Sequence, residues 1–260
     1  MPNYTITELY IRKKGLTRLQ YNIDKYTNLK ILDCSKNQIT QIDNLPQCLK
    51  ELHCDYNQIT QLDNLPQDLE ILSCSNNKIT QLNNMPLKLK KLYCYYNEIT
   101  QLNNLPSELE HLGCSSNKIT QLDNLPSGLK ILNCSNNYIT QLDNLPHGLI
   151  ELSCCYNKIN KLDKLPSSLE KINCSSNKLT QLDNLPQNLK ILCCTHNNIT
   201  QLYNLPLELQ KLYCYNNRLT QLNNLPQHLT TLFCGNNNIS NIAKICLIDN
   251  LPPNLETLCW

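Results

Sequence analysis

Apolar residues recur along this chain on a twenty-residue period. In the stretch from Leu65 to Asn84, with Leu69 counted as position 1, they fall at positions 1, 4, 6, 11, 14 and 17: Leu69, Leu72, Cys74, Ile79, Leu82 and Met85. Pro86 follows at position 18, and Asn77 stands at position 9. A fixed internal period overrides the domain count that length alone suggests and predicts one continuous array. In Lys50-Glu51-Leu52-His53-Cys54 the alternation places Leu52 and Cys54 inward and Glu51 and His53 outward, a half-buried strand at positions 3 to 5. Such strands at constant spacing must run parallel. The return, for example Ile59 to Pro66, is too short for a helix, and its Pro biases the preceding residue toward extended backbone. Extended or 3-10 segments are expected on the back.

The pattern divides the chain into three stretches within one domain, 1–260. Residues 1–28 form a divergent first turn in which Ile6, Leu9, Ile11, Leu16 and Leu19 match Leu29, Leu32, Cys34, Ile39 and Ile42 at an offset of 23. Lys14 replaces the recurrent Asn, and Arg12, Lys13, Lys14 and Arg18 gather there, as in a polar terminal cap. Tyr4, Tyr10, Tyr21 and Tyr26 are expected to cover the open end of the core. Eleven copies of twenty residues occupy 29–242. The stretch 243–260 carries an insertion and a truncated last repeat, with Trp260 at the cysteine position, where it can plug the core end. A single copy cannot fold alone, so stability accumulates along the array.

Position 9 is Asn in all eleven copies: Asn37, Asn57, Asn77, Asn97, Asn117, Asn137, Asn157, Asn177, Asn197, Asn217 and Asn237. A buried amide both donates and accepts, so it can bridge adjacent coils where backbone groups leave the sheet ladder. Position 6 is equally regular, as Cys34, Cys54, Cys74, Cys94, Cys114, Cys134, Cys154, Cys174, Cys194, Cys214 and Cys234. There the unit needs a small apolar side chain, which free Cys supplies. In-register side chains point the same way, so reduced core thiols are expected rather than disulfides. The chain starts without a basic leader or apolar h-region and holds no apolar run near the roughly 18 residues of a membrane helix. An intracellular, likewise reducing, location is expected.

Leu-x-x-Leu-x-Cys-x-x-Asn-x-Ile followed by Leu-x-x-Leu-Pro resembles the leucine-rich repeat family over nearly the entire chain. The twenty-residue length and Leu-Pro element resemble the short repeats of bacterial effectors of the YopM and IpaH kind. The Asn- and Cys-rich dialect also resembles repeat proteins of amoeba-infecting giant viruses. The resemblance implies an α/β-type leucine-rich repeat solenoid: a right-handed curved superhelix with a parallel sheet on the concave face, little or no α-helix on the convex face, and protein recognition on the concave side. Nothing here corresponds to the catalytic domain of the ligase-type effectors.

Formal charge is +2, so no long-range field points to nucleic acid or an anionic membrane. Position 2 alternates Lys50, Glu70, Lys90, Glu110 and Lys130, which pairs opposite charges on adjacent coils and leaves no basic stripe for phosphates. Five histidines are scattered over separate repeats, without a nucleophile triad, His-Glu-x-x-His, phosphate loop or Cys-x-x-Cys. Cys155, Cys193 and His196 are the nearest approach to a metal cluster, but they lack zinc spacing. No cofactor, metal or catalytic residue is expected. Positions 5, 7 and 8 face outward and mostly hold small polar residues, except at two places. Tyr93, Tyr95 and Tyr96 share one repeat, with His53, Asp55 and Tyr56 two coils away; Tyr213 and Tyr215 share another, next to Phe233, with Arg218 nearby. Aromatics and Arg are enriched at binding hot spots. The expectation is a non-enzymatic protein-binding module that docks its partner there, as a monomer or with weak end-to-end association. The alternative is a structural or assembly component, virion or scaffold, associating through its ends or convex side.

Overall fold

The computed structural model describes residues 4–19 and 22–260, which form two compact units, Met1–Leu129 and Lys130–Trp260. The first holds strands β1 (Glu8–Tyr10), β2 (Ile31–Asp33), β3 (Glu51–His53), β4 (Ile71–Ser73), β5 (Lys91–Tyr93) and β6 (His111–Gly113). The second holds β7 (Ile131–Asn133), β8 (Glu151–Ser153), β9 (Lys171–Asn173), β10 (Ile191–Cys193), β11 (Lys211–Tyr213), β12 (Thr231–Phe233) and β13 (Thr257–Cys259), with one helix, α1 (Asn241–Asp249). From β2 to β12 each strand covers positions 3 to 5 of its copy. Within each unit the strands pair in parallel in chain order, with Leu52 opposite Leu72 and Leu192 opposite Leu212. Each unit is thus a parallel β-solenoid.

The coil closes because Pro ends the return. The Leu69 N–H donates to the Pro66 carbonyl at 3.1 Å, and the same bond recurs at Leu49, Leu89 and Leu189. Inward residues then stack in rows: Leu69, Leu72, Cys74 and Ile79 are fully buried, as are their counterparts in neighbouring coils. The ladder Asn spans two coils as expected. Asn77 Oδ1 accepts from the Ile59 N–H at 3.0 Å, and its Nδ2 donates to the carbonyls of Cys54 at 3.0 Å and Cys74 at 3.1 Å. At the cap, Asn37 Oδ1 accepts from the N–H groups of Lys14 and Leu16, so Lys14 uses only its backbone where other coils use an amide. All sixteen cysteines are free.

Two positions in the coil are left-handed. Position 8 has φ between 51° and 58° in every copy, with Lys36, Tyr56, Ser116 and His196 among its occupants. Position 16 is left-handed wherever it is Asn, as at Asn64 and Asn204, but not at Lys164. Asn is among the few residues other than Gly that enter this region readily. These turns and the following Pro keep the returns extended; among the described residues, 3-10 geometry occurs only at Ile23–Lys25.

Both ends depart from expectation. β1 pairs with β2 at the offset of 23, Leu9 opposite Leu32. Tyr26 is buried, Tyr4 meets its ring edge-on at 5.1 Å, and Asn22 donates to the Tyr4 hydroxyl at 2.6 Å. Tyr10, however, is exposed and donates to Glu8, since position 5 of a strand points away from the core. Tyr21 lies outside the described residues. At the other end the residues read as an insertion form α1, whose Ser240 hydroxyl caps it by accepting from the Ala243 N–H at 3.2 Å. Trp260 does stand opposite the cysteine row but is 44% exposed, so it does not plug the core. Leu247 of α1 is buried instead.

Candidate interaction surface

After each strand the position 6 N–H bonds to the next coil's position 5 carbonyl, as Cys74 does to Tyr93 at 2.8 Å. The left-handed turn at position 8 then swings the chain off the sheet. Position 5 faces out and position 8 projects outward, but position 7 folds against the neighbouring coil: Ser35, Ser75, Ser175 and Thr195 are buried there. Of the three positions expected to face outward, 5 and 8 do so, and position 7 is a shoulder between them, buried in these four copies and half-buried at Tyr95 and Tyr215.

In the first unit this geometry separates the three tyrosines. The rings of Tyr93 and Tyr95 stack at 6.0 Å between centroids. Tyr95 lies over Gly113, where an added Cβ would come within 2.1 Å of the tyrosine hydroxyl oxygen. The ring therefore uses space that only glycine leaves, and burial pushes its pKa up to about 12. Tyr96 remains well exposed. Asp55 is committed to structure, since its Oδ1 accepts from the Ser73 hydroxyl and the Ser75 N–H, both at 2.7 Å. His53 Nε2 lies 3.6 Å from the Glu51 carboxylate, and the Lys36 ammonium sits 5.4 Å from the centre of the exposed Tyr56 ring. Among the described residues no ring contact joins Tyr56 to the Tyr93 group.

In the second unit Tyr213 and Phe233 stand opposite one another on β11 and β12, with ring centroids 5.3 Å apart. Tyr215 meets His196 edge-on at 5.2 Å. His196 Nε2 lies 2.8 Å from Asn216 Nδ2, so it accepts, and the ring proton belongs on Nδ1, which faces the Thr195 hydroxyl at 3.3 Å. Among the described residues Arg218 makes no ring contact. The sequence reading passed over Tyr138 and Tyr156, both exposed, with the Lys158 ammonium 4.8 Å from the Tyr138 ring. The available signal was a ring at position 10, where other copies carry Gln, Lys, Glu, Arg or Asn, and a third Tyr at position 8.

The flank of the first unit carries an ion-pair ladder. Lys90 donates to Glu70 at 2.9 Å and Lys88 to Asp68 at 2.7 Å, while Lys50 approaches both carboxylates. These bonds hold both carboxyls below their ordinary range. Cys155 and Cys193 are half-buried, and burial raises the Cys193 thiol to about 11, the opposite of an activated nucleophile. Among the described residues no three His, Cys, Asp or Glu side chains converge to hold a metal.

A family model described as leucine-rich repeats (2 copies) matches residues 27–67 and 107–147. The structure of YopM from Yersinia enterocolitica is similar, at 29% identity and TM-score 0.78, over 98% of this chain and 62% of that one. So is the functional domain of InlJ from Listeria monocytogenes, which includes a cysteine ladder, at 31% identity and TM-score 0.80, over 98% of this chain and 63% of that one. The chain is a leucine-rich repeat protein. It spans less than two thirds of the length of these YopM and InlJ structures. The leucine-rich repeat domain of APL1B shares the fold, with TM-score 0.85 at 21% identity over 97% of this chain and 81% of that one. Comparison with curated proteins gives no match. In this leucine-rich repeat protein, as in the InlJ domain, cysteine forms a ladder. Its short repeats place it among folds typical of protein interaction modules.

Proposed function

We propose that this leucine-rich repeat protein binds a protein partner on its outward sheet face, without catalysis. The observation carrying this reading is the set of rings at outward positions where other coils fold with Ser, Asn or Gly: Tyr93, Tyr96 and Tyr56 in the first unit, Tyr213 and Phe233 in the second, with Tyr215 half-buried on the shoulder between positions 5 and 8. The fold does not require them, and large amphipathic rings supply contact area at low entropic cost. His53 and Arg218 are rim residues in this reading, while Asp55 and Tyr95 support the surface from beneath. Sixteen free thiols favour a reducing, intracellular setting. Among the described residues no helix is long and apolar enough to cross a membrane, and the paired flank charges offer no stripe for nucleic acid.

The test replaces Tyr93 with Ser and Tyr96 with Asn, residues that other copies carry at these positions. Both the melt and the set of proteins captured from a lysate are compared with the parent chain. A melt no lower than that of the parent chain, with loss of the bound species, is expected. Unchanged capture would move the site off this face. One observation favours assembly as a second reading: Ile242, Ile245 and Ile248 of α1 are all exposed. Sedimentation at increasing concentration, with Ile245→Asp as the control, separates the two.

A further inference from the structure

The return side of the second unit carries a recess of about 420 Å³ with a composition unlike the rest of the array. Among the residues lining it are Tyr203 and Leu207, 54% and 73% exposed. They occupy positions 15 and 19, where the preceding coil has Asp183 and Gln187. Six carboxamides line the same recess: Gln187, Gln201, Asn204, Gln221, Asn223 and Asn224. None of these side chains is spent on another group among the described residues. No charged side chain lines it. Its volume falls in the range of small-molecule sites, roughly 300–1,000 Å³.

We infer that this recess is a binding site for a neutral oligosaccharide. Without a cation it cannot compensate a phosphate or carboxylate, and without an acid it has nothing for an amine. Each carboxamide offers a donor pair and an acceptor side by side, which matches vicinal hydroxyls. The Tyr203 ring supplies a flat apolar platform for the C–H face of a pyranose, and its hydroxyl adds one more donor and acceptor. Leu207 forms the apolar wall beside it. The carboxamides recur in many coils, but the ring and the leucine come together in this one, so a single site is expected. It lies on the return side and is separate from the outward sheet face of the proposed protein contact.

Restoring the residues of the neighbouring coil gives variants that keep the fold: Tyr203→Asp and Leu207→Gln. Saturation-transfer NMR with maltotriose, mannotriose and triacetylchitotriose measures free glycan. Ribonuclease B, with and without its glycan removed, measures the protein-attached form. At least one free trisaccharide should bind the parent chain at millimolar concentration, with affinity falling about tenfold in Tyr203→Asp and unchanged in Tyr156→Ser. If only the glycosylated ribonuclease binds, and Tyr203→Asp abolishes it, the ligand is a protein-attached glycan of the same chemistry. Absence of binding in every arm, equal binding by Tyr203→Asp, or ribonuclease binding that survives glycan removal overturns the site. Self-association abolished by Tyr203→Asp would instead make the recess a protein contact.

Discussion

Alkaline pH should unfold this protein through its buried thiols. Ten ladder cysteines (Cys34, Cys54, Cys74, Cys94, Cys134, Cys154, Cys174, Cys194, Cys214 and Cys234) have raised pKa values, and burial is the largest cause in each. Cys34, Cys94, Cys134 and Cys174 reach about 12, and Cys234 about 11. A thiol in the unfolded chain ionises near 8.5. Because the folded value is the higher one, the neutral-thiol contribution is complete below about pH 8.5 and is lost as the pH rises toward the folded values. At pH 9.5 each thiol forfeits about 1.4 kcal/mol, and ten forfeit on the order of 14 kcal/mol. That equals the whole stability of an ordinary domain, about 5–15 kcal/mol. Urea unfolding followed by circular dichroism at pH 7.5, 8.5, 9.0 and 9.5, with a phosphine reductant throughout, reads the effect directly. The double variant Cys74→Val, Cys94→Val should lose about 2.8 kcal/mol less over the same range. A midpoint at pH 9.5 equal to that at pH 7.5, or an unaltered pH slope in the double variant, would refute the buried-thiol argument.

Asn97→Ala should cost about 1–3 kcal/mol in chemical denaturation, because it orphans the Ile79 N–H and takes one of two amide donors from the Cys74 and Cys94 carbonyls. Gly113→Ala should displace the Tyr95 ring, and ultraviolet titration should then find that phenol falling from about 12 toward 10. Under native conditions a thiol reagent should label Cys246 and Cys259 first, Cys48, Cys155 and Cys193 more slowly, and the ladder only on unfolding, as mass spectrometry of quenched samples can score. Tyr96→Asn should raise stability by about 1 kcal/mol, because a bulky residue is being removed from left-handed backbone; a lower melting temperature would mean that the ring packs structurally.

The interior was legible because each inward row answers to one requirement. A strand of three residues buries only its central side chain and the next alternate one, so Leu72 and Cys74 could be placed from spacing alone, and the Asn row follows from where the backbone leaves the ladder. The 23-residue offset of the cap was readable for the same reason. α1 was missed because attention to the twenty-residue period turned any extra residues into an insertion. Yet Ser240 followed by nine residues without Pro or Gly is a capped helix by local criteria. Tyr10 was misplaced because aromatic character was taken as a reason for burial, whereas strand parity decides it; Trp260 has the inward parity of the cysteine row but lies beyond β13, the last strand. Residues opposite Asp33 or past the last paired strand have no neighbour to cover them.

The outward face was legible only in part, and the left-handed turn at position 8 explains why. At position 16 the same backbone region is held by Asn in nearly every coil, and where Lys164 replaces it the left-handed turn is lost. Position 8 keeps its turn with Lys, Tyr, Ser, His or Asn alike, because the ladder amide next to it ties two coils together and imposes the conformation. Local preference is therefore overruled at position 8, and its sequence is free to vary without announcing the geometry. The same overruling makes the position suited to recognition. A residue that does not set its own backbone conformation can be exchanged for contact alone, whereas at position 7, folded against the next coil, Tyr95 uses the space that Gly113 leaves beside it. Binding differences among such arrays should accordingly concentrate at positions 5 and 8.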